Sequence, residues 1–179
     1  MKRKKYIISF AQAWKAEKLF KNLFLKHADM LRLTRSEWIE YKIGFPRLIT
    51  KQHYGHDADP HFQDSMKAFK PYFLRKIRNN MRFNDIPQPN NQQFTHYFFR
   101  LSQKIKDMVN DESLYFYPGT GGPNYSKHFY GFEDPTFYKS EQMIGSVIGH
   151  EPIVTLFLID SEKKQLGKQG VKFDTFWKD

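Results

Sequence analysis

The sequence predicts an α+β fold, in which a helix-rich, basic first part of about four helices packs with a small mixed sheet from a second part rich in glycine and aromatic residues. Three observations support this prediction. Apolar side chains recur at helical spacing within residues 1–110, and six of the ten glycines fall between Gly119 and Gly149. The longest apolar run, from Ile153 to Ile159 and interrupted only by Thr155, has the length of a buried strand. The 179 residues suit a single domain, so we expect the first part (1–110) and the second part (111–179) to fold together.

Positive charge is concentrated in the first part. The chain carries a net charge of +10. Residues 1–110 hold 22 Lys and Arg against 9 Asp and Glu, whereas residues 111–179 hold 7 against 10. Such a basic surface attracts phosphate backbones, anionic membrane surfaces or acidic proteins. Cysteine is absent, which excludes disulfides, cysteine nucleophiles and zinc–thiolate sites.

The sequence predicts neither a membrane span nor an export signal. The run from Ile153 to Ile159 is too short to cross a bilayer. The basic start of the chain precedes an apolar stretch that Gln12 and Lys15 interrupt, and no cleavage site of small residues follows at a suitable distance. We therefore expect a cytoplasmic protein without a cofactor, and the oligomeric state stays open.

The first quarter of the chain is predicted to be mainly helical. Residues 6–10 form a short strand or the lead into a helix, and a helix is expected over residues 10–33 because their apolar side chains share one face. Thr34 and Glu37 have the spacing of a capping box, in which each side chain accepts a hydrogen bond from the backbone N–H of the other residue. A short helix is therefore predicted to follow, as far as Ile43.

Two more helices are predicted in the remainder of the first part. Asp59 suits the N-cap and Pro60 the first position of a helix whose apolar stripe continues to Met81. Pro71 is expected to kink or split that helix, because it removes an amide donor and crowds the preceding turn. The apolar positions between residues 94 and 109 predict the clearest amphipathic helix of the chain.

The second part is predicted to supply the strands. We expect strands at residues 114–117, at 153–159 and at 171–176, and a Gly/Pro loop at 118–124. A short helix capped by Asp160 or Ser161 should run through Leu166.

A polar cluster between the predicted helices is a weak candidate metal site. It comprises three histidines and a carboxylate whose spacing matches no known zinc or two-metal signature, and a solvated loop is the simpler interpretation. Its candidate ligands are His53, His56, Asp57 and His61.

Aromatic residues crowd the stretch around the predicted Gly/Pro loop. The loop has glycines that suit a phosphate cradle, but it lacks the spacing of a nucleotide-binding motif. Exposed rings in such a stretch can stack on bases or anchor a protein partner, and about half of these rings are expected to be buried instead. The candidate stacking residues are Tyr117, Tyr125 and Tyr130.

The basic residues carry the leading functional hypothesis. We expect a nucleic acid or another polyanion, such as an acidic protein surface, to bind the helical part. The candidate contacts are Arg75, Lys76, Arg78, Arg82, Arg100 and Lys104. Two alternatives stay open: a metal-dependent phosphoester hydrolase that uses the cluster from His53 to His61, and an interaction module of the immunity or antidote type.

Overall fold

The computed structural model describes residues 2–9, 22–44, 48–54, 60–81, 92–110, 132–148 and 153–173. Over these residues the chain is built on one antiparallel sheet of eight strands, with short helices between some of them. The predicted α+β fold, helix-rich with a small mixed sheet, is therefore wrong. The sheet dominates, and the first part of the chain contributes five of its strands.

Eight strands and four helical segments make up the described structure. The strands are β1 (Lys4–Ser9), β2 (Met30–Gly44), β3 (Leu48–Tyr54), β4 (Phe73–Asn79), β5 (Gln92–Arg100), β6 (Glu133–Lys139), β7 (Gln142–Ile148) and β8 (Ile153–Leu158). The helical segments are α1 (residues 22–27), α2 (Pro60–Phe69), α3 (Gln103–Asn110) and α4 (Asp160–Lys168), and a 3₁₀ turn occupies Lys70–Tyr72. None of the described helices is long and apolar enough to span a membrane.

The sheet is organised around β2, its longest strand. The strand order is β1-β8-β7-β6-β2-β5-β4, and β3 also pairs with β2. Residues 30–38 of β2 pair with β5, residues 38–44 pair with β3, and the first residues also pair with β6. This order places β1 and β4 at opposite ends of the sheet.

One face of the sheet carries an aromatic core that the helices cover. Phe24 of α1 stacks on Phe137 of β6 with ring centroids 4.6 Å apart. Phe69 of α2 contacts Phe99 of β5 at 5.1 Å. Complete burial of one such side chain contributes about 1.5–3 kcal/mol. The same cluster includes Ile8, Leu31, Leu33, Ile105, Leu156 and Leu166.

Gly145 lets α1 approach the sheet closely. A Cβ atom built on Gly145 would overlap the ring of Phe24, which is fully buried. A larger residue at this position would force the ring away from Phe137, so the stacked pair depends on glycine in β7.

The opposite face carries a buried polar row across four strands. Arg32 pairs in register with Thr136, Thr136 with Ser146, and Ser146 with Thr155. All four side chains are buried, and Nη2 of Arg32 donates to Oγ1 of Thr136 at 3.2 Å. Both faces of the sheet centre are therefore covered.

The helix predicted over the start of β2 is wrong. Leu31, Arg32, Leu33 and Thr34 alternate between apolar and polar residues, as a strand does, but the helical spacing before them and the capping-box pattern outweighed this short alternation. All four side chains are buried, so neither face of this part of β2 is exposed to solvent. The capping-box pattern at Thr34 occurs inside a strand, where its hydroxyl contacts His96 instead of a helix amide.

The predicted helix over residues 94–109 is also wrong in its first half. Five of the six residues 94–99 have aromatic rings and the sixth is a threonine, a composition that favours a β-strand. Phe94, Phe98 and Phe99 are all buried, although successive side chains of β5 point to opposite faces. Their spacing therefore resembled a helical stripe. Only α3 retains the predicted helix.

Several predicted elements are confirmed. The strand alternative at residues 6–10 corresponds to β1, and α2 begins at Pro60. The predicted helix from Pro60 to Met81 is correct only as far as Phe69, because a 3₁₀ turn that contains Pro71 follows α2 and the next residues form the strand β4. The strand predicted at 153–159 and the helix after it correspond to β8 and α4, but the N-cap of α4 is Ile159 and not Asp160 or Ser161, as predicted. Residues 171–173 have no regular structure, and the predicted strand at 114–117 and loop at 118–124 lie outside the described residues.

Candidate functional site

Strand β4 forms because a proline ends the helix before it. Pro71 lies in the 3₁₀ turn after α2, and Phe73 has an extended backbone with φ −63° and ψ 131°. The following residues pair with β5, with a register shift between Phe73 and Arg75. Among the described strands β5 is the only neighbour of β4, so β4 lies at the end of the sheet.

Six consecutive residues of β4 are exposed, and we call residues 73–78 the β4 edge. Among the described residues, the large hydrophobic side chains that are exposed all belong to it. Phe73 is 40 %, Leu74 46 % and Ile77 41 % exposed. Three cations accompany them. Folded proteins usually protect an edge strand by charge or by covering it, and here the apolar side chains remain accessible between the charges.

The register of β4 distributes its cations over both faces of the sheet. Arg75 pairs with Phe98 and Ile77 with His96, so these two side chains share the face of the polar row. Lys76 and Arg78 alternate with them and point to the other face. An extended partner beside this strand would therefore meet positive charge above and below the sheet plane.

Arg75 is held in place by an aromatic ring. Its guanidinium carbon lies 4.7 Å from the ring centroid of Phe98, and Nη1 is 3.7 Å from the carboxylate of Glu141. The side chains of Arg75 and Glu141 are 50 % and 79 % exposed. Stacking leaves the in-plane N–H groups of a guanidinium able to donate to a carboxylate or phosphate, and an exposed ion pair is weak enough to be exchanged for another anion.

A buried histidine fixes the far end of β4. Nδ1 of His96 is 3.0 Å from the Thr34 hydroxyl, and Nε2 is 2.8 Å from the Met81 carbonyl and 3.2 Å from Oδ1 of Asn79. These partners assign the proton to Nε2, which donates to the two oxygens, while Nδ1 accepts from the hydroxyl. Since both ring nitrogens are engaged, His96 orders the strand.

The six predicted basic contacts are not all brought together. Arg75, Lys76 and Arg78 are exposed on β4, in a strand instead of the predicted helix. Arg100 is exposed at the end of β5, and Lys104 is exposed on α3, beyond the buried Leu101. Arg82 lies outside the described residues. The exposed apolar side chains of the β4 edge were not predicted, because the sequence placed Ile77 in the buried stripe of a helix. Pro71 is the signal that could have indicated a strand here, since it ends the helix before Ile77.

The described residues test little of the candidate metal site. His53 lies in β3 and His61 in α2, whereas His56 and Asp57 lie outside the described residues. Within the described ranges, no group of three or more His, Asp or Glu side chains is arranged to hold a metal ion. Tyr117, Tyr125 and Tyr130 are also outside these ranges, so their predicted stacking role stays a prediction.

A second basic surface lies at the opposite end of the sheet, beside α4. A shallow groove of about 500 Å³ is lined by side chains of α4 and by Phe173. Nζ of Lys163, one of its lining residues, lies 4.4 Å from the ring centroid of Tyr6. Nearby, Arg3 donates two hydrogen bonds to Glu162, at 2.6 and 3.1 Å. These charged groups serve contacts within the fold.

Known proteins supply no analogy for either surface. Comparison with protein-family models, with curated proteins and with solved structures gives no match to this chain.

Proposed function

We propose that this chain binds an anionic macromolecular partner through the β4 edge. The observation that carries the proposal is the coincidence of three cations and three exposed hydrophobic side chains on one edge strand. Phe73 contacts the buried Phe99 with ring centroids 6.1 Å apart, but it is still 40 % exposed, and Leu74 and Ile77 are exposed to a similar extent. Exposed apolar groups among charges are typical of interaction surfaces.

Electrostatics supports an anionic partner. The chain carries +10 overall, so an anion is attracted at long range, and Arg75, Lys76 and Arg78 are exposed for direct contact. Arg75 is also oriented in advance by Phe98, which lowers the ordering cost of a contact at its guanidinium. Binding of this kind weakens with added salt, because each contact releases counterions.

The two alternatives differ in their support. An interaction module facing an acidic protein is one form of the proposed function, and a nucleic-acid binder is another. The hydrolase hypothesis stays a prediction, because two of its four candidate ligands lie outside the described residues.

The test compares two double variants of equal charge. The edge variant is Lys76→Ala with Arg78→Ala, and the control variant is Lys164→Ala with Lys168→Ala on α4. All four side chains are exposed, and each variant lowers the net charge by two. Binding to labelled poly-glutamate and to a labelled single-stranded oligonucleotide is measured by anisotropy at low salt, with the thermal midpoint as a check on folding.

The proposal expects the edge variant alone to lose affinity, by about tenfold, for at least one of the probes, which corresponds to about 1.4 kcal/mol. Equal losses in both variants would mean that only the net charge matters. Unchanged binding in the folded edge variant would remove the β4 edge as the site.

A further inference from the structure

We infer that the partner is an extended acidic segment of another protein, which adds to β4 as a further strand of the sheet; this inference rests on the proposed function. Three features of the edge identify this occupant: its backbone, its apolar side chains and the arrangement of its charges.

The backbone of β4 is suited to strand addition. Alternate residues of an edge strand direct their N–H and C=O groups away from the sheet, where they can pair with an incoming chain. β4 has seven residues, which matches the length of an ordinary paired strand. Its two ends are ordered by the 3₁₀ turn before Phe73 and by the contacts of His96 with Asn79 and Met81. The strand is therefore presented in its paired conformation.

The exposed apolar side chains favour a polypeptide over a nucleic acid. A ring such as Phe73 can stack on a base, but Leu74 and Ile77 are aliphatic and offer no ring to stack. Each is more than two-fifths exposed, so an apolar side chain placed beside it would remove apolar surface from water and stabilise the complex. Side chains of an added strand lie within contact distance of those on its neighbour, so a peptide can cover Ile77 directly.

The charges select an acidic segment and disfavour a second copy of this chain. Arg75 faces one side of the sheet, and Lys76 and Arg78 face the other. Two β4 strands paired edge to edge would bring these cations against each other, and like charges on neighbouring strands are destabilising. A partner strand with acidic residues on both faces, and one apolar residue beside Ile77, satisfies the whole pattern.

This pattern defines a probe. A synthetic peptide that repeats Glu-Glu-Val-Glu places glutamates on both faces and valine at every second position of one face. A matched peptide of the same sequence is N-methylated at alternate residues, which removes the amide donors on one side and leaves every charge in place. Both peptides and the single-stranded oligonucleotide are titrated against the whole chain and the edge variant.

We expect the unmethylated peptide to bind about tenfold or more tightly than its methylated form, and to lose affinity for the edge variant. Equal affinity of the two peptides, both weakened by the edge variant, would overturn strand addition while the proposed function stands. If the oligonucleotide binds more tightly than the unmethylated peptide, the inferred partner is wrong and a nucleic acid takes the place of the acidic segment. If none of the three probes distinguishes the edge variant, the proposed function itself fails.

Discussion

The two ends of the sheet use their positive charges in different ways. At the β1 end, Arg3 donates to the Glu162 carboxylate and to the Phe157 carbonyl, so the cation joins the chain before β1 to β8 and α4. At the β4 end, Arg75 has an exposed carboxylate and an aromatic face as its neighbours. The first arrangement holds elements together, whereas the second keeps a cation accessible.

Glu162 shows how the β1 end is closed. Its carboxylate accepts from the backbone N–H of Ile159 at 3.0 Å, which caps the start of α4, as well as from Arg3. The Glu162 carboxylate is therefore committed to contacts within the fold. Residues of the same types therefore hold elements together at one end of the sheet and are exposed at the other.

The largest expected difference is in the loss of unfolding free energy when one isoleucine on each of the two edge strands is replaced by alanine. Ile8 of β1 is fully buried, and Ile77 of β4 is 41 % exposed. Ile8→Ala should lower the free energy of unfolding by about 2–5 kcal/mol, because it leaves a cavity in the core. Ile77→Ala should change it by less than about 1 kcal/mol. Urea unfolding of both variants measures this difference, and similar losses would show that β4 is packed as β1 is.

A smaller difference in stability loss is expected when either of two glutamates is replaced by glutamine. Glu162→Gln weakens a largely buried ion pair and a helix cap, so a loss of about 1–3 kcal/mol is expected. Glu141→Gln removes the exposed partner of Arg75 and should cost less than about 0.5 kcal/mol. The thermal midpoints of the two variants report the difference. A drop for Glu141→Gln as large as that for Glu162→Gln would mean that Arg75 holds the fold together.

The smallest effect concerns self-association. Replacing Lys76 and Arg78 by threonine keeps the β propensity of the edge and removes two of its repelling charges. We expect this variant to self-associate weakly as its concentration rises, which sedimentation velocity detects. Lys164→Thr with Lys168→Thr, which changes a helix, serves as the control. If the β4 variant self-associates no more than this control and the unchanged chain, the charges do not protect the edge.

Local signals in the sequence predicted the second half of the chain better than the first. The run from Ile153 and the acidic start of α4 predicted β8 and its helix, because a strand of apolar residues followed by a capped helix is specified locally. In β2 and β5 the pairing partners are far apart in sequence, and both faces are covered. In β5 aromatic residues lie on both faces and their spacing resembles a helical stripe, and in β2 the short alternation from Leu31 to Thr34 was outweighed by the capping-box pattern.

The sequence was sufficient to predict the exposure of three candidate residues, and their role in binding stays a prediction. The exposure of Arg75, Lys76 and Arg78 follows from their charge, and it did not depend on the element that carries them. What the sequence could not provide is the sheet order that puts β4 at an end, since this depends on which strands lie beside β2 and β5. Only the strand order of the folded sheet shows that β4 is an edge strand with exposed apolar side chains.

Amide hydrogen exchange on the whole chain tests the central claim most directly. In the free protein, alternate amides of residues 73–79 should exchange rapidly, because edge-strand donors face solvent. With the Glu-Glu-Val-Glu peptide added, those amides should become protected, while residues 4–9 of β1 and the helix α4 stay unchanged. Protection at β1 or α4 instead, or binding of the peptide with no change over residues 73–79, would contradict the assignment of the β4 edge as the binding surface.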